Sequence, residues 1–459
     1  MNDNLRRWLP WIGVAVVALI VIIVIAANSG GGDDVAASTT TTTEAPGTTT
    51  TTEPGETTTT TAAPEKPEPG PLGAVEVAPG EDIQIRSLEA ISGDVAFLGI
   101  PNDRATEIAI EDFGPIAGHS VTRGTPLDDL CSSEGGQAAA QQIVSDNAVV
   151  GVIGTSCSGA AVAASPLISD AGMVMISPSN TSPALTSDLN GNPGTDYHPG
   201  YYRTAHNDLF QGKAVALFVF NELGLTKAAA IHDGDPYTNG LATAFKNAFE
   251  ELGGEVVAFT AVNKGDTDMT PVLTEVAAAG PEVIFFPIFM PEGGFIVQQV
   301  RGVSGLEDVT LIAADGLLTD NFMELPESEG VYFSGPNLQF GSNTSATGVS
   351  ADDFLAKYQD KYGEAPSAAF WAHSYDATVL LLTAIKDVGV ELADGTLFID
   401  RQALRDRLTA TKDFPGITGT LSCDGFGDCG SQRISIVLHT DSTNIEAGKQ
   451  NVVFEFAPN

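Results

Sequence analysis

The chain has 459 residues, 43% of them hydrophobic, with 59 acidic against 21 basic side chains and a formal net charge of -38. That charge opposes binding to nucleic-acid phosphates or anionic lipid headgroups, which need clustered Lys and Arg, and the aliphatic content excludes a wholly disordered chain. The length allows two or three domains at roughly 100–200 residues each, and the four cysteines, Cys131, Cys157, Cys423 and Cys429, are too few for a disulfide scaffold and lack the paired spacing of a zinc site.

In chain order, the first element is the apolar run from Trp8 to Ala27, long enough to cross a bilayer core of ~30 Å as a helix. Arg6 and Arg7 precede it and Asp33 and Asp34 follow, so the positive-inside rule predicts a single-pass anchor over residues 1–28, with the rest of the chain on the extracellular side. The alternative is a signal peptide cleaved after Ile25-Ala26-Ala27. Residues 29–81 hold Thr39 to Thr43, Thr48 to Thr52 and Thr57 to Thr61, a nine-residue repeat with almost nothing apolar to bury. This predicts an extended, disordered Thr/Pro/Glu linker, with O-glycosylation as a further possibility.

From Asp82 onward short apolar runs alternate with helical patterns. Strands are predicted over Asp82 to Leu88, Ala148 to Gly154, Met173 to Ser177, Lys227 to His232, Glu255 to Val262, Glu282 to Phe289, Val309 to Ala314 and Val331 to Ser334. Helices are predicted over Gly136 to Asp146, Gln211 to Leu223, Asn239 to Leu252 and Gly294 to Val303. This alternation means βαβ units and a mostly parallel sheet, in one barrel or two open sheets.

The stretch Val149 to Ala160, then Ala163-Ala164-Ser165-Pro166, then Ile176 to Thr186 resembles the leucine/isoleucine/valine-binding proteins of ABC importers. Ile91-Ser92-Gly93, Tyr202-Arg203-Thr204, His232 to Tyr237 and Ala368 to Ala377 extend the resemblance over nearly all of residues 82–459. It implies a type I periplasmic binding protein: an α/β fold of two Rossmann-like lobes joined by three crossings, with the ligand in the cleft between them. Lobe one is then expected over about 82–204 and 335–414, and lobe two over about 205–334 and 415–459. The implied function is capture of an amino acid, aliphatic or branched-chain, for delivery to an ABC permease. A monomer is expected, with no cofactor and no metal.

A buried zwitterion needs donors for its carboxylate, a carboxylate for its ammonium and, for an aliphatic side chain, an apolar wall. Ser158 opens the Ala-rich segment after a strand, so its hydroxyl and the nearby N–H groups sit at a helix N-terminus, which favours an anion. The resemblance assigns it the ligand carboxylate; an ordinary N-cap serine is the alternative. Ser179, Asn180 and Thr181 follow the next strand and fit a main-chain clamp. By resemblance the Ser179 carbonyl and Thr181 hydroxyl receive the ammonium and the Thr181 N–H contacts the carboxylate. Asp315, at the end of a strand and before Gly316, supplies a carboxylate where the family presents an acidic residue; a plain Asp-Gly turn is the alternative. Tyr237 and Phe289 align with aromatic cleft positions, although either would also serve as core. Within Phe97-Leu98, at the family's side-chain contact, the sequence leaves open which residue faces the cleft, and Leu98 is taken as the candidate.

Cys131 and Cys157 fall where the family carries a disulfide, and Cys423 and Cys429 flank a Gly-rich turn able to bring them together. An enzyme is disfavoured: Gly154-Thr155-Ser156-Cys157-Ser158-Gly159 lacks the G-x-S-x-G elbow, no H-E-x-x-H or P-loop occurs, and His232 and His373 read as structural. A membrane-tethered sensor using the same cleft remains the alternative to transport.

Overall fold

The computed structural model describes residues 66–458. Val149–Gly154, buried at all six positions, reads in sequence as one apolar run because helices cover both faces of the sheet that contains it. Val150 and Ile153 face a core that includes Tyr375 and Leu381 of the helix Trp371–Val388, whereas Val149 and Val152 face Ala139, Ala161 and Ile168 on the opposite helices.

In this first lobe Val121–Thr122, Ile83–Glu89, Val149–Gly154, Val174–Ser177 and Tyr201–Arg203 lie side by side in that order, with Leu127–Asp128 pairing the end of Ile83–Glu89. All neighbours are parallel. The order reverses between Ile83–Glu89 and Val149–Gly154, and such a switch point is where open α/β sheets leave a crevice at their C-terminal ends. The second lobe repeats the plan: Glu255–Ala261, Lys227–His232, Val283–Phe285, Thr310–Ala313 and Tyr332–Pro336 are parallel, and Ile434–Leu438 and Val452–Phe456 extend the edge antiparallel. Its switch point lies between Lys227–His232 and Val283–Phe285.

The backbone passes between lobes after Tyr201–Arg203, after Tyr332–Pro336, and again beyond Cys429, where Ile434–Leu438 returns to the second sheet. The last passage falls later than the expected break at 414/415. Phe414, Ile417, Leu421, Cys423 and Cys429 are buried in the first lobe's core, so the hairpin Phe414–Gly416/Gly419–Leu421 belongs there. The folded region also starts earlier than Asp82. Ala74–Val77, within the segment expected to be linker, pairs antiparallel with Leu397–Asp400 and buries Val75 and Val77 against the first lobe. An apolar residue at every second position is enough to hold a short edge strand once a partner exists.

Among the described residues no helix is long and apolar enough to cross a membrane. The run Trp8 to Ala27 and the Thr repeats between Thr39 and Thr61 lie outside the described residues. Both disulfides are formed, Cys131–Cys157 and Cys423–Cys429, and no cysteine is free.

Candidate ligand-binding site

The C-terminal edges of the two sheets meet around a small cavity lined by Leu98, Ser156, Cys157, Ser158 and Ser179 from the first lobe, by Tyr237, Phe289, Asp315 and Gly316 from the second, and by Phe370. The lobes touch beside it. Lys264 Nζ donates to the Cys131 carbonyl at 3.3 Å, and a Cβ on Gly159 would fall within clashing distance of Asp235 Oδ2, so a larger residue there would have to displace that carboxylate. A larger pocket lies between the helices Ala351–Tyr362 and Ile445–Gln450; its buried cation, Lys449, is already paired with Asp320 at 2.6 Å and Glu446 at 2.8 Å.

Ser158 is the first residue of the helix Ser158–Asp170, and the cap position belongs to Cys157, whose side chain makes no capping bond. The first N–H groups of a helix have no acceptor within it. Here that terminus meets the cavity through Cys157 and Ser158, and the Ser158 hydroxyl accepts the Ser182 N–H at 3.3 Å instead of capping its own helix. The Cys131–Cys157 bridge pins this terminus, and Cys157 itself forms part of the wall.

Opposite stands Asp315, 4% exposed, whose Oδ1 accepts from Gln211 Nε2 at 2.6 Å and from the Tyr237 hydroxyl at 3.1 Å. The Tyr237 hydroxyl in turn accepts the Gly316 N–H at 3.2 Å, and its ring lies 5.1 Å from that of Phe289. Burial pushes the Asp315 carboxyl up to about 6, because the hydrogen bonds from Gln211 and Tyr237 only partly replace its hydration. Asp208, fully buried at the first position of the helix Asp208–Leu217, has no hydrogen-bond partner on either carboxylate oxygen. Burial first, and then the neighbouring Asp315 charge, raise its carboxyl well above the usual range. Nearby Arg203 is fully committed: its guanidinium donates to Asp428 at 2.5 Å, to the carbonyls of Asn180 at 3.2 Å and Ser182 at 2.8 Å, and to Thr186 Oγ1 at 2.6 Å. Two buried carboxylates are thus left without a cation, and the arrangement can hold a positively charged group.

The structure brings Leu98, Ser158, Ser179, Tyr237, Phe289 and Asp315 to one cavity, with Phe97 turned outward at 40% exposure. Asn180 lies behind the wall. Its amide is consumed by Thr155 and Tyr201, at 2.9 Å to the Thr155 carbonyl and 3.0 Å from the Tyr201 hydroxyl, so it shapes the loop and leaves nothing for a ligand. Thr181 is also outside the lining, buried with its hydroxyl unpartnered. Sequence reasoning missed Ser156 and Phe370 in the lining, and Gln211 and Asp208, which lie outside it and act on Asp315. For Asp208 the available signal was a carboxylate directly after Asn207, which already caps the helix by accepting the Leu209 N–H.

The chain matches the sequence profile described as periplasmic binding protein over residues 82–429. It is 28% identical to Leu/Ile/Val-binding protein homolog 3 of Brucella melitensis, covering 78% of this chain and 92% of that protein. It is 27% identical to a leucine-, isoleucine-, valine-, threonine- and alanine-binding protein of Pseudomonas aeruginosa, covering 80% and 92%. Among solved structures it resembles a leucine-binding protein from Thermotoga maritima, with TM-score 0.67, 25% identity and coverage of 78% and 96%. It also resembles an isoleucine complex of a branched-chain amino acid transporter substrate-binding protein from Streptococcus pneumoniae, with TM-score 0.65, 25% identity and coverage of 82% and 99%.

Proposed function

Because the chain belongs to the periplasmic binding protein family, we propose that it is the extracellular solute-binding component of an ABC importer, taking a free amino acid into the cavity between its lobes. The observation that carries this reading is the pairing of opposites in one cavity: the Asp315 carboxylate, with no ion pair among the described residues, on one side, and a helix N-terminus with Ser158 on the other. A zwitterion neutralises both. The ammonium goes to Asp315 with the Ser179 carbonyl, and the carboxylate to Ser158 and the N–H groups after it. Leu98, Phe289, Phe370 and the disulfide surround the side chain.

The work done is capture, since relatives and structural neighbours are named for binding and transport. Contacts to both lobes exist only when the lobes are together, so the ligand favours the closed form, and a permease distinguishes that form from the open one. The segment 8–27 tethers the domain, as a monomer, to the outer face of the membrane. Calorimetric titration of the full chain, stripped of co-purified ligand, with leucine, isoleucine, valine, threonine and alanine tests this. Binding lost in Asp315→Asn supports the reading; absence of heat with every amino acid overturns it.

A further inference from the structure

The first-lobe wall of the cavity is not the surface an aliphatic side chain alone would require. Ser156 lines it, and its hydroxyl is held from two sides: it accepts the Ala90 N–H at 2.9 Å and donates to Glu89 Oε2 at 2.6 Å, while its backbone N–H donates to Asp129 Oδ2 at 2.7 Å. Glu89 ends the strand Ile83–Glu89 at the switch point and is fully buried. No ion pair reaches it among the described residues, and its Oε1 has no hydrogen-bond partner. Asn102 Nδ2 lies 3.4 Å from both Glu89 Oε2 and Ser179 Oγ, and Ser179 Oγ donates to the Ser156 carbonyl at 3.0 Å. Asn102 Oδ1 is likewise buried and unpartnered. Glu89, Asn102, Ser156 and Ser179 therefore form one connected polar layer, of which Ser156 and Ser179 reach the cavity wall while the unused acceptors, Glu89 Oε1 and Asn102 Oδ1, lie behind it.

Such a layer is costly. A buried carboxyl without a cation costs stability relative to a well-packed apolar residue, so an aliphatic ligand would give the protein no return for keeping Glu89 and Ser156. Resting on the reading that the cavity holds an amino acid, we propose that the ligand's side chain carries a hydroxyl or carboxamide that hydrogen-bonds to Ser156, with Glu89 as the positioning residue that fixes the serine hydroxyl. Desolvation pushes the Glu89 carboxyl well above its usual range, more than the Ser156 hydrogen bond lowers it. A carboxyl that keeps a proton can share it with the serine, which then donates to or accepts from the ligand, as hydroxyls and carboxamides both require.

Threonine and valine have nearly the same shape and differ by a hydroxyl for a methyl, which isolates the point. In calorimetric titrations of the ligand-free full chain, threonine is expected to bind at least about tenfold more tightly than valine, and asparagine more tightly than leucine. The threonine-to-valine ratio is expected to fall towards one in Ser156→Ala and in Glu89→Leu, and to be largely kept in Glu89→Gln, which retains an acceptor for Ser156. The ratio reports the polar contact, because a general loosening of the wall weakens both ligands alike; Ser156→Ala alone decides the matter if Glu89→Leu does not fold. Valine binding as well as or better than threonine, or a ratio unmoved by Ser156→Ala, overturns the proposal while leaving amino-acid capture standing. Failure of every amino acid to bind the wild-type chain overturns both.

Discussion

Two buried charge sites lie within the same crossing region and are treated oppositely. Arg203, with its guanidinium fully buried, is bound to Asp428, two carbonyls and Thr186, and the loop that carries Asp428 is closed by Cys423–Cys429. Asp208, five residues after Arg203, and Asp315, from the second lobe, form no ion pair among the described residues. A charge completed by the protein's own groups holds the crossings in place; a charge left incomplete beside a cavity is where a ligand supplies the missing half.

Substituting the completed site is expected to have the largest effect. Arg203→Met leaves Asp428 buried and unpaired and is expected to cost about 3–5 kcal/mol of stability, read by urea unfolding; a loss below about 1 kcal/mol would mean that the pair is not needed to join the lobes. At the incomplete site, Asp315→Asn is expected to cost at least about 2 kcal/mol of ligand affinity, roughly 30-fold, measured by titration calorimetry. The pH dependence follows from the raised carboxyl. Asp315 protonates as pH falls through about 6, and only its ionised form pairs with an ammonium, so affinity is expected to fall by up to about tenfold for each pH unit below that value. An affinity flat from pH 7 to pH 4 would show that another group holds the cation. The smallest effect expected is on the stability of the ligand-free protein. The Asp315 carboxyl is raised in the folded state, so the fold gains from its protonated form at low pH and loses that gain as pH rises through about 6. Unfolding of Asp315→Asn near neutral pH is therefore expected within about 1 kcal/mol of wild type, or above it. A large loss would place Asp315 with Arg203 as a structural charge.

The parallel sheets were legible because each strand is a short apolar run between helical patterns, as in Lys227–His232 and Thr310–Ala313. Ala74–Val77 and the hairpin at Phe414–Gly416 were not, since two or three alternating residues carry little pattern until a partner strand covers them. In the site, Ser158 and Asp315 could be named because each sits at the end of a strand within a short motif. Asn180 shares its motif with Ser179, yet it turns inward to Thr155 and Tyr201. Neighbours in sequence point to different sides of a loop, and motif membership does not say which.

By itself the amino-acid sequence determined that this is an α/β protein with mostly parallel strands, in one barrel or two open sheets, because apolar runs and helical periods are local and sum to a fold class. With its family resemblance it also pointed to the disulfide pairs and to the serine and carboxylate at the strand ends. Only the tertiary structure decided which polar groups remain unsatisfied around the cavity. Gln211 meets Asp315 across 104 residues of sequence and Ser156 meets Glu89 across 67, and whether a buried group is paired depends on everything packed around it, a property that no segment of the chain carries alone.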